Sequence, residues 1–217
     1  MQVACLLYDR FTALDITGPH DVLNSLPGTD SVFVAENAGA VRNDSGTMAI
    51  VADRSLDDVV TPDIVVVPGG FGSRVLLEHE PLLSWLRKVH KTSTWTTSVC
   101  TGSLLLAAAG LLDNAPATTH WLARDTLASL GARPVPDRVV QHGKILTAAG
   151  VSSGIDMALR LVQLMYGDEA AQAVQLGIEY DPEPPFDAGS PEKAAPAIVE
   201  TVTAAFSALE AEFIATT

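Results

Sequence analysis

The chain has 217 residues, 47% of them apolar, which is enough to bury one sizeable core and short enough for a single domain. Its 26 acidic against 13 basic side chains leave a formal charge of -13, which repels nucleic-acid phosphates and anionic membrane surfaces alike. The longest apolar stretch, Leu104 to Leu112, is far short of the roughly 20 residues of a membrane span, and Met1-Gln2-Val3 enters a strand without a basic leader, so a soluble cytoplasmic protein is expected.

In chain order, Val3 to Tyr8, Ser31 to Ala35 and Ile64 to Val67 are short apolar or β-branched runs separated by segments of helical or turn character, the rhythm of a parallel sheet. Ile64-Val65-Val66-Val67 is apolar on both faces, so it reads as a central strand covered by helices on either side. Ala40 to Asn43 and Met48 to Val51 flank Asp44-Ser45-Gly46-Thr47, a hairpin signal. Pro81 opens a helix with Leu82, Leu83, Leu86 and Val89 on one stripe. Thr94 to Val99 is a further strand, and Thr101 to Leu112 a helix of small residues. Val139 to His142 and Ile145 to Ala148 bracket a turn at His142-Gly143-Lys144. Ser153-Gly154-Ile155-Asp156 has capping-box spacing and leads into a helix carrying Leu159, Val162 and Met165. After a proline-rich segment over 181–189, Ser190-Pro191 starts a last helix with Ile198, Val202, Phe206, Leu209 and Phe213 on one face. The organisation expected is one domain over 1–217, with a core over 1–189 and a C-terminal helix over 190–217. Its fold class is a doubly wound, mostly parallel α/β sheet.

The sharpest local feature is Thr97-Ser98-Val99-Cys100-Thr101-Gly102-Ser103, where a strand ends in cysteine and a helix begins at once. Such an elbow exposes the thiol at the sheet edge and sets it against helix-start amides that favour thiolate. The structural alternative for Cys100, and the better reading for Cys5 inside Val-Ala-Cys-Leu-Leu, is a small buried hydrophobe. Loops after parallel strands converge on one edge, so the loop Asp9 to Gly18 should neighbour Cys100. There Asp15 lies among apolar residues, and a desolvated carboxyl suits proton transfer near neutrality; an ordinary capping box of Thr12 with Asp15 is the alternative. Pro68-Gly69-Gly70 follows the central strand and reads either as an oxyanion-type donor loop or as a plain turn. Thr101 fits a helix-start hydrogen bond and a contact to a reacting group equally well. Among the histidines, His20, His120 and His142 are not adjacent to Cys100, and His120 reads as a structural hydrogen-bonder. No metal-ligand spacing and no phosphate-binding loop occur, so neither metal nor cofactor is expected.

Together these segments resemble the ThiJ/PfpI superfamily, with its class I glutamine amidotransferase-like, flavodoxin-like sandwich, and most closely its isocyanide hydratase branch. The residues that carry the resemblance run from Leu14-Asp15-Ile16-Thr17-Gly18-Pro19-His20-Asp21 through Pro68-Gly69-Gly70 and the Cys100 elbow to Ala117-Thr118-Thr119-His120-Trp121, Gly154-Ile155-Asp156 and Glu179-Tyr180 with the proline-rich segment beyond. The resemblance implies a Cys100 nucleophile, Asp15 as its acid/base partner, and Thr101 with amides near Gly69, Gly70 and Val151 orienting the charged species. Val151 enters because Ala149-Gly150-Val151 resembles the family loop over the cysteine. It also implies a homodimer with the site beside the interface, and a small isocyanide as substrate.

The same resemblance separates neighbouring activities. Thr101 stands where protease-like members carry histidine, and no His-x-Glu tripeptide of the glutaminase branch follows Cys100. A glyoxalase or deglycase-like activity on reactive carbonyls is the enzymatic alternative, opposed by aspartate rather than glutamate at position 15. A non-catalytic cysteine redox sensor is the alternative from another class. Related sequences form the ligand-binding halves of arabinose-type regulators, but with this chain ending at Thr217 and a charge that opposes DNA, no helix-turn-helix domain is expected.

Overall fold

The computed structural model describes residues 1–216. They fall into two compact units, Met1–Glu179 and a second beginning at Tyr180. In the first, the chain runs through β1 (Gln2–Leu6), α1 (Ala13–Asn24), β2 (Asp30–Ala35), β3 (Gly39–Arg42), β4 (Ala49–Ala52), β5 (Arg54–Ser55) and β6 (Ile64–Val67). It continues with α2 (Glu80–Thr92), β7 (Trp95–Val99), α3 (Gly102–Ala108), β8 (Pro116–Ala117), α4 (Arg124–Ser129), β9 (Arg133–Pro134), β10 (Val139–His142), β11 (Ile145–Ala148), α5 (Ser153–Tyr166) and α6 (Asp168–Gly177). Seven strands form one sheet in the order β10-β11-β7-β6-β1-β2-β5, parallel except for β10. This is the doubly wound α/β architecture, with β6 at its centre and all four of its residues fully buried.

The strand order reverses between β1 and β6: after β1 the chain builds outward through β2 and β5, then returns to the other side of β1. In open α/β sheets that reversal opens a crevice at the carboxyl edge. Four strand ends meet there, those of β1, β6, β7 and β11. β3 and β4 pair separately as the expected hairpin, and Phe11, between β1 and α1, bridges to Asn43 at its turn.

Several element boundaries differ from the sequence expectation. The segment after β1 is not a loop through Gly18; α1 runs straight through Gly18-Pro19, and Asp15 sits in its first turn. Proline inside a helix costs a backbone hydrogen bond, and here tertiary packing against α5 overrides that propensity. A Cβ at Gly18 would lie 2.9 Å from Ile155 Cγ1, and one at Gly154 would lie 3.1 Å from Pro19 Cγ, so the two helices meet at van der Waals limit. α3 stops at Ala108, four residues short of Leu112, and the chain turns through Gly110 at φ 76°. The expected capping box at Ser153 is absent, because Asp156 pairs with Arg138 instead. α4 and α6 are helices that the periodicity did not reveal. In the second unit, residues 180–195 are irregular and α7 (Pro196–Thr216) starts at Pro196, not at Ser190-Pro191. Both prolines suit a first helical position; residues 191–193 close a turn, leaving Pro196 as the start. No helix among the described residues is long and apolar enough to cross a membrane.

Candidate active site

Cys100 terminates β7 with φ 56°, a left-handed conformation that a non-glycine residue adopts only when its surroundings enforce it. Enforcement is visible on both sides of the residue. Its amide donates to Ala148 O at 3.1 Å, at the end of neighbouring β11, and to Ala149 O at 2.9 Å just beyond it. Its carbonyl accepts from Thr119 Oγ1 at 3.0 Å and Ser103 Oγ at 3.2 Å. Gly102 then passes so close to β6 that a Cβ would meet Val67 O at 2.2 Å, which is why the elbow needs glycine there.

Asp15 is fully buried and faces the thiol across the crevice. Its Oδ2 accepts from the Gly69 amide at 2.8 Å, while Oδ1 is buried with no hydrogen-bond partner among the described residues. Burial dominates its acidity; with a smaller rise from Asp44, and against the Gly69 amide and the Cys100 thiol, its pKa is pushed up to about 8. The Cys100 thiol is also pushed well above the usual cysteine range, first by burial and then by Asp15, against hydrogen bonds from the backbone of Thr101 and Val151. The sequence expectation of a thiolate favoured by the helix start is therefore corrected. Two acids this close in a buried site cannot both ionise, so the pair holds at least one shared proton near neutrality.

The expected donor loop has a different arrangement from a row of free amides. Gly69 N–H is engaged by Asp15, and Gly70 N–H donates to Thr101 Oγ1 at 2.9 Å. Their role in this state is to hold Asp15 and Thr101, and neither has room for a side chain: a Cβ on Gly69 would lie 2.5 Å from Thr101 N, and one on Gly70 2.3 Å from Arg10 O. The Thr101 hydroxyl also accepts from Ser73 Oγ at 3.0 Å, so it serves the loop after β6. Val151 is a β-branched residue held at φ 35°, and its backbone N–H and that of Thr101 oppose the rise in the thiol's pKa.

Thr12 caps α1 with its backbone alone; its hydroxyl donates to Asp44 Oδ2 at 2.9 Å, so the Thr12–Asp15 capping box is not formed. His120 accepts weakly from Leu122 N at 3.4 Å, and its ring lies under Gly150, where a Cβ would meet Cδ2 at 2.7 Å. Burial, followed by Arg74 and Arg124, lowers its pKa to about 4, leaving it neutral at physiological pH. His20 is occupied with Asp21 and the Phe33 ring, and His142 ends β10 at the opposite edge of the sheet. Sequence reasoning missed Tyr8, which wraps the site with its hydroxyl on Pro68 O at 2.6 Å and feels both Asp15 and Cys100. It also missed Ser73, Asp44 and Thr119; the position of Tyr8 just past a strand end was the one signal that could have found it.

The DJ-1/PfpI family model matches residues 1–164. An isonitrile hydratase of Pseudomonas putida is 44% identical over 92% of this chain and 87% of its own length. A ThiJ/PfpI family protein from Pseudomonas syringae superposes with a TM-score of 0.91 at 35% identity, over 96% of this chain and 87% of that one. At greater distance, a glutathione-independent glyoxalase of Caenorhabditis elegans is 28% identical over 58% of this chain and 68% of its own.

Proposed function

This chain belongs to the DJ-1/PfpI family, and we propose that within it the protein is an isocyanide hydratase, converting R–NC and water into the N-substituted formamide. The observation that carries the proposal is the buried Cys100–Asp15 pair, with one carboxylate oxygen fixed by Gly69 and the other left without a partner. Nucleophile and proton donor are then separate groups in one dry site. The isonitrile hydratase relative supplies the substrate class.

The reaction follows from that pair. In the one-proton form with sulfur charged, the Cys100 thiolate attacks the terminal isocyanide carbon while Asp15 delivers its proton to the same carbon, giving an S-bound thioimidate. Asp15, now a carboxylate, takes a proton from water as the hydroxyl adds to that carbon, and passes it to nitrogen. The hydroxyl proton of the tetrahedral adduct returns to Asp15 as the C–S bond breaks, releasing formamide and thiolate. The Thr101 and Val151 amides stabilise charge on sulfur at the first and last steps. Gly69 and Gly70 keep Asp15 and Thr101 in place. No cofactor is needed.

The working assembly is proposed to be a homodimer, supported by exposed Leu14 beside Asp15 on α1 and exposed Met48 and Val51 on the β3–β4 hairpin, which Thr12–Asp44 ties to the site. Both cysteines are unpaired, which suits a reducing compartment such as the cytoplasm. Formamide production from an aryl isocyanide, followed by ultraviolet absorbance in wild type and Cys100→Ala, tests the assignment. Turnover lost in the variant supports it. A wild type that alkylates at Cys100 yet makes no formamide, and turns over methylglyoxal instead, replaces it with the glyoxalase reading.

A further inference from the structure

Cys100 O and Thr101 N–H belong to one peptide group, and a peptide group is planar with its two dipolar ends opposed. Whatever fixes the oxygen therefore fixes the direction of the N–H. Thr119 is fully buried in the strap between β8 and His120, and its hydroxyl donates to that oxygen at 3.0 Å. Ser103 donates to the same oxygen at 3.2 Å from within α3. At the opposite end of the plane, the Thr101 N–H favours the charged sulfur and opposes the rise in the thiol's pKa. The neighbouring residues of the strap are anchored too: Thr118 N–H donates to Thr147 Oγ1 at 2.9 Å, and the His120 ring supports Gly150 under the 149–151 loop.

We infer that Thr119 is a positioning residue for the nucleophile: by holding the Cys100 carbonyl it locks the Cys100–Thr101 peptide plane at the strained elbow and aims the Thr101 amide at the sulfur. A hydrogen bond accepted by a peptide oxygen also polarises the N–H at the other end, so Thr119 strengthens as well as orients that donor. The charged and titratable groups around the sulfur are Asp15 from α1 and Tyr8 after β1, with Asp44 acting on Asp15 and Arg74 on Tyr8. None of them contacts Thr119 through a hydrogen bond, so the strap acts on the thiol through the backbone alone. The role in turnover rests on the hydratase reading; the effect on the thiol does not.

The test measures iodoacetamide alkylation of Cys100 against pH in the full chain, for wild type, Thr119→Val and Thr119→Ser, with formamide kinetics in parallel. Loss of one such hydrogen bond is expected to displace the Thr119→Val profile to higher pH and slow alkylation about two- to tenfold below its midpoint. Thr119→Ser restores the wild-type profile, and kcat in Thr119→Val falls by the same factor with KM unchanged. A Thr119→Val profile superimposed on wild type overturns the inference. If Thr119→Val does not fold, Ser103→Ala removes the other hydroxyl from the same oxygen; the same displacement there supports the locked plane, and an unmoved profile overturns it. An absence of isocyanide turnover in wild type removes the hydratase reading and leaves the alkylation result to decide this one.

Discussion

Asp15→Asn should stabilise the protein while abolishing turnover, and the size of the effect follows from one contrast: a carboxyl that titrates near 3.8 when unfolded is held at about 8 in the folded chain. Below pH 3.8 both states carry the proton and the group adds no pH dependence. Between about pH 4 and about pH 8 the unfolded chain has lost the proton and the folded chain retains it, so stability falls as pH rises by about 1.4 kcal/mol per unit. Above about 8 both states are ionised and the loss is complete. At pH 7 the accumulated cost is roughly 4 kcal/mol, an upper bound for a fully buried group. Asparagine does not titrate, keeps an oxygen for the Gly69 amide, and so removes the slope. The assay is urea unfolding of wild type and Asp15→Asn at several pH values across this window. The variant's advantage should be near zero at about pH 4 and grow to several kcal/mol by about pH 8. A difference that does not change with pH would refute the argument, because it would mean that Asp15 is ionised in the folded protein and has no proton to give.

The same variant reports on the sulfur. With the neighbouring carboxylate gone, Cys100 alkylation should move to lower pH, by up to about three units for charges about 4 Å apart at an effective dielectric of about 20; since burial is the larger cause of its raised pKa, the midpoint should stay above that of an ordinary thiol. Cys5 is fully buried within β1, whereas Cys100 keeps 6% of its surface exposed at the crevice, so mass spectrometry of the native protein after alkylation should find one adduct, and none in Cys100→Ala. Gly102→Ala forces a Cβ to 2.2 Å from Val67 O, backbone that cannot give way, and should cost more than about 4 kcal/mol or prevent folding, read by thermal melting. Leu14→Glu with Val51→Glu should convert a dimer to monomers in analytical ultracentrifugation; a dimer that persists places the interface elsewhere.

The parts of the fold that could be read in advance are those whose signal is local. β6 is apolar on both faces because it is central, the two hairpins announce themselves by turn residues between apolar runs, and the elbow is a strand end followed at once by a small-residue helix. What could not be read depends on partners brought in from elsewhere in the chain. Gly18-Pro19 looks like a break until α5 presents Gly154 and Ile155 to it. Asp156 looks like half of a capping box until Arg138 takes it. Gly69 and Gly70 look like free donors until Asp15 and Thr101 occupy them, and the Cys100 thiol looks activated until the depth of its burial beside a carboxyl is known.

The burial of the Cys100 thiol beside a carboxyl supports the functional reading. A chain selected only for stability would fill position 15 with an apolar side chain, since a buried carboxyl with one oxygen left unpartnered works against folding at every pH above its unfolded value. Cys100 and Val151 are likewise held in backbone conformations that non-glycine residues avoid. Three unfavourable choices converge on one sulfur, while the sheet beneath them satisfies its local rules almost throughout. Such a concentration of strain and desolvated acid at a single point is what a site needs when it must hold a proton until a carbon arrives to take it.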